Sequence, residues 1–343
     1  MENTVDEYSV SAVVLNWNGL RFLEPCLSSL EKQTCPSLEI ILVDNGSADG
    51  SVEHARRRHP RVRIIENKRN LGYGAGNNAG IAACRGEFVA VVNNDAELDE
   101  KCIEEMVRVL RSCPEAGACA ARIMLKGGED RVDAAGIAVC PDGLAIGRGR
   151  MEPAAGYLKQ EEVFFASGCC ALFRRKMLED VGPYDEDFFA YADDTDLGWR
   201  ARCRGWTSVY APAAVVFHHH SGSSGGFSPF KVYHVERNRI CVMMKNFPWT
   251  LVVLSVFFTG ARYFWQAVGA LSRKGRAGRF RSAFSFPRLV RETIRAYGGA
   301  FRLAPAMLKK RWEIRSGKRI RDPEYRRLIR RFGISAKGIA LKE

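Results

Sequence analysis

The sequence predicts an α/β protein, a doubly wound and mostly parallel sheet followed by a helical, basic C-terminal extension. Two observations carry the prediction. Strand-length apolar runs at 10–16, 38–43, 62–65 and 88–92 alternate with helix-patterned segments, which is the β-α-β spacing of a parallel sheet. Charge is also segregated. Of the 52 Lys+Arg and 39 Asp+Glu, the segment from Arg273 onward holds 22 against 5, a net of +17, leaving residues 1–272 at −4. A chain of 343 residues is long enough for one large α/β domain and an appendage. The expected domains are 1–245 and 246–343.

Taken in order, Val10–Asn16 reads as a buried first strand closed by the turn Trp17-Asn18-Gly19. A helix follows from about Leu20 to Gln33, with Phe22, Leu23, Cys26, Leu27 and Leu30 on one face, and Pro36 blocks its continuation. Leu38–Val43 is a second strand ending in Asp44-Asn45-Gly46-Ser47, Ser51–His59 a short helix, and Val62–Ile65 a third strand. The glycine-rich stretch Asn70–Gly80 reads as a loop that lets backbone approach a ligand closely. Its spacing is not that of a dinucleotide fingerprint, which would need glycine at 77 or 79, where Asn and Ala stand. Phe88–Val92 is a strand buried on both faces, ending abruptly in Asn93-Asn94-Asp95. A helix over 100–112, strand-like pieces over 114–165, a buried strand over Phe164–Phe173 and a short helix to Val181 complete this part.

Composition excludes several classes. The eleven cysteines contain no C-x-x-C pair, so they read as small buried hydrophobes in a reducing compartment, not as a zinc or redox motif. The acidic N-terminus has no apolar core of a signal peptide, which implies cytosolic synthesis.

The polar strand ends carry the functional reading. Asn16, Asp44 and Asp95 each close a parallel strand, where ligands of open α/β sheets bind. Asp95 suits a hard-oxygen metal ligand facing a phosphate, although Asn-Asn-Asp is also turn chemistry. In 184–200, aromatics and carboxylates alternate ahead of a helix, and either Asp193 or Asp194 reads as its N-cap. Three carboxylates in four residues, Asp193, Asp194 and Asp196, exceed what capping needs. A strand from about Val209 to Phe217 delivers His218-His219-His220, of which one imidazole can face a metal.

Together these blocks resemble the inverting family 2 glycosyltransferases, within them the rhamnosyltransferase-like group. The residues that carry the resemblance are 13–19, 43–47, 70–78, Asn93-Asn94-Asp95-Ala96, 188–197 and Phe217-His218-His219, in that order, with Arg237-Asn238-Arg239 behind them. The resemblance implies a GT-A fold that transfers a sugar from a nucleotide-diphospho-sugar to a hydroxyl of a glycan or lipid-linked acceptor. It implies Asp44 on the base, Asn16 and Asn18 in the nucleotide pocket, and Asn70, Gly72, Gly74 and Asn78 around base and sugar. Asn93 and Asn94 join the donor side, and Asn93 stands where the family often has the first Asp of a D-x-D motif. Asp95 and His218 match the ligands of a divalent cation, Mg2+ or Mn2+. Asp194 matches the catalytic base, and Asp193, Asp196 and Arg237 fall to the acceptor or diphosphate side. Sugar-phosphate nucleotidyltransferases share the fold but usually carry a basic glycine-rich loop where this chain has Trp17-Asn18-Gly19. The third reading is a nucleotide-sugar binding protein without catalysis.

The tail has its own logic. Trp249–Ala261 is uncharged but shorter than the roughly 20 residues of a spanning helix, and Arg262 follows. An interfacial or re-entrant helix is expected, with a helix packed against the catalytic domain as the alternative. The +17 tail, interspersed with Phe280, Phe284, Phe286, Phe301 and Trp312, suits the anionic inner leaflet of the cell membrane. No base-reading motif points to nucleic acid.

Overall fold

The computed structural model describes residues 10–128, 130–219, 228–272 and 286–341. The N-terminal stretch, His220, Phe280 and Phe284 lie outside them. The chain divides into two compact units, one from the described parts of 1–137, 147–189 and 206–223, the other from 138–146, 190–205 and 224–343.

The first unit is a mixed sheet. Its strands are β1 (Val10–Asn16), β2 (Leu38–Asp44), β3 (Arg63–Glu66), β4 (Phe88–Asn93), β5 (Ala96–Leu98), β6 (Ala116–Leu125) and β7 (Val132–Ala134). β8 (Ile137–Val139) and β9 (Ala145–Gly147) form a separate two-stranded sheet, most of whose residues fall in the second unit. β10 (Glu161–Glu162), β11 (Cys170–Arg174) and β12 (Thr207–His218) complete the sheet, in the order β10-β12-β6-β11-β4-β1-β2-β3. β5 pairs with β12 and β7 with β6 outside this path. β1 lies parallel to both β2 and β4, Val13 registering with Ile41 on one side and Val91 on the other. The chain thus winds outward from β1 in two directions, and the crevice between the ends of β1 and β4 is the topological switch point.

Among the described residues, the α-helices of this unit are α1 (Leu20–Glu31), α2 (Ser51–Arg58), α3 (Gly72–Ala83), α4 (Cys102–Ser112) and α5 (Arg175–Val181). Leu23, Cys26, Leu27 and Leu30 of α1 and Ile103, Met106, Val107 and Leu110 of α4 are buried, in one hydrophobic core with Val10, Val14, Leu42, Phe88 and Val92 of the sheet. No cysteine is in a disulfide and all but Cys113 are buried, as small core residues would be.

Two expectations change here. The strand expected over 164–173 is confined to β11, which runs antiparallel to β4 and β6, while Phe164, Phe165 and Ala166 are buried without being strand. The glycine-rich stretch from Gly72 is not a loop but helix α3. Its glycines serve packing: a Cβ at Gly80 would stand 2.9 Å from Val43 Cγ2 and closer still to Val13 Cγ1. Removing side chains lets the helix sit directly on β1 and β2.

The second unit is helical: α6 (Asp193–Cys203), α7 (Pro229–Asn246), α8 (Trp249–Ser272), α9 (Phe286–Ser316), α10 (Asp322–Phe332) and α11 (Ala336–Leu341). Buried Trp199 stacks on Tyr325 at 5.4 Å and meets Phe247 edge-on at 4.9 Å. Beside α7 lies a buried ionic network. Arg262 donates to Asp142 Oδ2 at 2.7 Å and to Glu236 Oε1 at 2.9 Å, and Arg239 donates to Glu236 Oε2 at 2.6 Å. Burial alone would raise the Glu236 carboxyl, but Arg262 and Arg239 overcome it and pull it down to about 2.

The network bears on α8. Helix continues through Arg262, so Trp249–Gly269 is long and apolar enough to cross a membrane by length and composition. Arg262 does not interrupt the apolar side, because it is buried against Asp142 and Glu236. Val253, Leu254, Val256, Phe257, Phe258 and Phe264 remain exposed, so most of the helix is not core.

Replacing Gly80 by alanine is expected to cost about 1–3 kcal/mol, since Val13 and Val43 must move. Gly156→Ala, which meets open space, should stay within about 0.5 kcal/mol. Urea unfolding of both variants checks this. Glu236 also makes a pH prediction. A carboxyl lowered from 4.5 to about 2 on folding contributes stability that is complete above about pH 4.5 and disappears as the pH falls toward 2. Glu236→Gln should remove that dependence, on the order of 3 kcal/mol, from unfolding measured as a function of pH.

Candidate active site

The ends of β1, β2 and β4 are joined by side-chain amides. Asn16 is fully buried. Its Nδ2 donates to Asp44 Oδ1 at 3.0 Å and Ser47 Oγ at 3.2 Å, and its Oδ1 accepts from Asn94 Nδ2 at 2.7 Å. Asp44 Oδ2 accepts from the Ser47 amide at 2.8 Å, so both carboxylate oxygens hold the turn after β2 in place. Asn18, at a positive φ that asparagine tolerates, ties the turn after β1 to the same segment. Its own amide donates to Ser47 Oγ, and its Oδ1 accepts from the Ala48 amide. The nucleotide residues expected at Asn16, Asn18, Asp44 and Asn94 therefore form one hydrogen-bonded rim at the switch point.

The rim extends to α3. Asn70 Oδ1 accepts from the Gly72 amide and from Asn45 Nδ2, which also reaches the Gly72 carbonyl at 3.0 Å. Gly72 has φ +85 and lies against the Phe189 backbone, a place only glycine fills without strain. Gly74 is buried in the first turn of α3. Asn78 points elsewhere: its Nδ2 donates to Tyr184 O and Glu186 Oε1, and its Oδ1 accepts from the Tyr184 amide. Asn78 thus fastens α3 to the segment at 184–186.

Asp95 and His218, 123 positions apart, meet because β12 pairs antiparallel with β5, His218 opposite Ala96. His218 Nε2 is 3.2 Å from Asp95 Oδ1, and its Nδ1 is 2.7 Å from Asp133 Oδ2. All three side chains are buried. Burial works against charge on the imidazole, but Cys169, Asp133 and Asp95 outweigh it and push the pKa well up. The pocket thus stabilises positive charge, and a carboxylate beside an imidazole is a donor set that fits a divalent cation. Asp133 would orient the histidine, as an outer carboxylate does for many metal-bound imidazoles. Sequence reasoning missed Asp133, which lies in the 114–165 region without any motif. Asn93 donates its backbone amide to the Cys169 carbonyl at 2.8 Å. The second histidine, His219, pairs with Glu97 at 3.0 Å.

The remaining candidates sit in the second unit. Ala192, at φ +65, is the N-cap of α6, so neither Asp193 nor Asp194 caps it. Asp194 Oδ1 accepts from the Thr195 amide at 2.7 Å and from Thr195 Oγ1 at 3.2 Å, while Asp193 is buried. Asp196 was expected on the acceptor or diphosphate side. It is fully buried, with Arg200 Nε and Lys245 Nζ each 2.8 Å from Oδ2 and Asn246 donating to Oδ1 at 2.9 Å. Burial raises its carboxyl, but Lys245 and Arg200 overcome this and hold it far below the usual range. Arg237 donates to Asn238 Oδ1 at 2.8 Å and lies over the Tyr233 ring. Asn238, inside a motif but given no role, donates to the carbonyls of Ala190 and Tyr191 at 2.7 Å each. It thereby holds the left-handed turn that opens α6.

Comparison with known proteins gives a consistent result. The profile of Glycosyl transferase family 2 matches residues 11–182. The chain is 33% identical over 230 residues to an N-acetylglucosaminyl-diphospho-decaprenol L-rhamnosyltransferase of Mycobacterium tuberculosis, covering 59% of this chain and 73% of that one. It is 38% identical over 103 residues to the putative glycosyltransferase EpsH of Bacillus subtilis, 29% of this chain and 30% of the relative. Two solved structures share the fold. GalNAc-T7 with UDP, GalNAc and Mn2+ matches at TM-score 0.55 and 16% identity, over 69% of this chain and 48% of that one. The mannosyltransferase PcManGT of Pyrobaculum calidifontis with GDP-Man and Mn2+ matches at TM-score 0.53 and 17% identity, over 87% of each.

The environment of Asp196 is testable apart from any chemistry. Asp196→Ala takes from buried Lys245 and Arg200 the carboxylate they share, which should cost about 3–5 kcal/mol in chemical denaturation. A loss below about 1 kcal/mol would mean that the side chain is not held in this knot.

Proposed function

We propose that this chain, which belongs to glycosyl transferase family 2, has the GT-A fold and is a glycosyltransferase, transfers L-rhamnose from dTDP-rhamnose with inversion. Its acceptor is then a hydroxyl of a lipid-diphosphate-linked glycan precursor. The observation that carries the donor half is the polar rim at the switch point, Asn16, Asp44 and Asn94, with Asp95 and His218 in the same unit. The choice of sugar and acceptor rests on what the Mycobacterium tuberculosis relative is named for.

In this reading Asp44, Asn16 and Asn18 face the nucleotide, Asn70, Gly72 and Gly74 border base and sugar, and Asn93 and Asn94 take the donor side. Asp95 and His218 hold a divalent cation, Mn2+ or Mg2+. When bound, such a cation neutralises the negative charge that develops on a departing diphosphate. Asp133 keeps the His218 ring in position. Asp194 removes the proton from the acceptor hydroxyl as that oxygen bonds to the anomeric carbon and the bond to the diphosphate oxygen breaks. Asp193 and Arg237 serve the acceptor or diphosphate side.

Membrane attachment belongs to the same reading. The exposed face of α8 and the aromatic and basic residues of α9, among them Phe301, Arg302, Lys309 and Trp312, suit the surface of an anionic bilayer. Attachment is peripheral, at the inner face of the cell membrane, where a lipid-linked acceptor is available. Recovery of the full chain in the soluble fraction at low salt without detergent would count against it.

A thermal-shift screen of nucleotide sugars with and without Mn2+ or Mg2+ tests the donor, and release of free nucleoside diphosphate only when acceptor is added tests transfer. Asp194→Asn keeps the contacts with Thr195 but removes the base. It should lower kcat by about 10²–10⁴ with donor binding retained. Turnover at the unmodified rate would remove Asp194 from the role.

A further inference from the structure

A second cluster in the first unit has no part in the chemistry above. Glu24 and Glu31 lie two turns apart on α1, His54 lies on α2, and His59 directly follows α2. His54 Nε2 is 2.7 Å and His59 Nε2 3.2 Å from the same oxygen, Glu24 Oε2, and His59 Nδ1 is 2.8 Å from Glu31 Oε2. His59 is only 2% exposed, whereas the side chains of Glu24 and His54 are 38% and 23% exposed. One donor atom from each of Glu24, His54 and His59 lies within 4.8 Å of the others.

We propose that Glu24, His54 and His59 form a second metal site, one that takes Zn2+ and fastens α1 to α2. Three features argue for this cation. The donors are two imidazole nitrogens and one carboxylate oxygen, a set that suits Zn2+ better than Mg2+, which takes oxygen ligands. A tetrahedral Zn2+ with bonds near 2.0–2.1 Å holds its donors about 3.3–3.4 Å apart. His59 and Glu24 already stand at 3.2 Å, and the exposed pair, His54 and Glu24, needs to open by only about 0.6 Å. The third feature is the Glu31 carboxylate on His59 Nδ1. It fixes the proton on Nδ1 and leaves the Nε2 lone pair directed at the site, the outer-carboxylate arrangement of bound histidines. A fourth position is left for water. Arg58 Nη2 approaches Glu24 at 3.5 Å, but on its other oxygen and from an exposed side chain, where its repulsion is screened. The site shares no residue with Asp95 and His218, so the two can be told apart by substitution.

The test uses the full chain purified without a polyhistidine tag or a metal column, followed by zinc analysis, Zn2+ titration and the visible spectrum with Co2+ as a probe of four-coordination. One equivalent of Zn2+ should survive gel filtration, with Mg2+ in excess failing to displace it. Zn2+ at about 100 times its Kd should raise Tm by about 3–6 °C. His54→Ala and Glu24→Gln, both at partly exposed positions, should abolish the Co2+ spectrum, and Glu31→Gln should weaken Zn2+ binding by about 10–100-fold. The pair Asp95→Asn and His218→Ala should leave this equivalent in place. The proposal is overturned if the unmodified chain holds no Zn2+, or if His54→Ala and Glu24→Gln bind it as the unmodified chain does. It is equally overturned if the equivalent disappears only with Asp95 and His218.

Discussion

The first unit depends on one buried amide. Asn16 has three hydrogen-bonding positions in use and no access to water, and its partners come from two other parts of the chain: Asp44 and Ser47 at and just beyond the end of β2, Asn94 just beyond β4. An unsatisfied buried amide costs about as much as the hydrogen bonds it has lost. The ends of β1, β2 and β4 must therefore stay in register for the rim to exist at all. Parallel pairing of β1 with both neighbours supplies that register, and the glycines of α3 let a helix lie close enough to bring Asn70 against Asn45. Fold and candidate site are the same set of constraints here, seen from the core and from the crevice.

Much of this was legible because parallel strands announce themselves. Valine-rich runs that stop at an amide or a carboxylate mark both the strand and its functional end, and β1, β2 and β4 fall where the apolar pattern puts them. The misreadings share a cause. Glycines at alternate positions after Asn70 look like a flexible loop, because sequence shows what glycine permits and not what presses on it. Only Val13, Val43, Leu15 and Asn45 in place show that absent side chains were needed for packing. Asp133 was invisible for a related reason. It acts on His218 across 85 positions, through a strand whose local sequence has no periodicity to read.

The carboxylates at the start of α6 show a sharper limit. Asp193, Asp194 and Asp196 are alike in composition and nearly adjacent. Helical geometry turns successive residues by about 100°, so they leave the axis in different directions. Asp196 meets Lys245 and Arg200 and becomes a structural counter-charge, while Asp194 Oδ1 lies against its own Thr195. What draws Asp196 into the knot is Lys245 and Asn246 on α7, and that is tertiary information. The same α7 supplies Asn238, whose two bonds hold Ala190 and Tyr191 in the turn from which α6 starts. The acidic block and the Arg-Asn-Arg block are thus one device, although 40 or more positions separate them.

A charged residue inside an apolar helix means different things according to where its partner is. Summed along the chain, Arg262 counts against insertion of α8 in a bilayer, because an isolated guanidinium in hydrocarbon is costly. Paired with Asp142 and Glu236 it counts differently. The charge is balanced inside the protein, and it binds one face of α8 to α7 through a network whose disruption would leave charges buried and uncompensated. A helix held in that way cannot leave its neighbours to cross a bilayer without breaking those pairs. Its opposite face is free of charge from Val253 to Phe264. For the proposed membrane attachment, the arrangement that anchors the helix to the protein is therefore what frees its other side for a surface, and this favours lying on the membrane over passing through it.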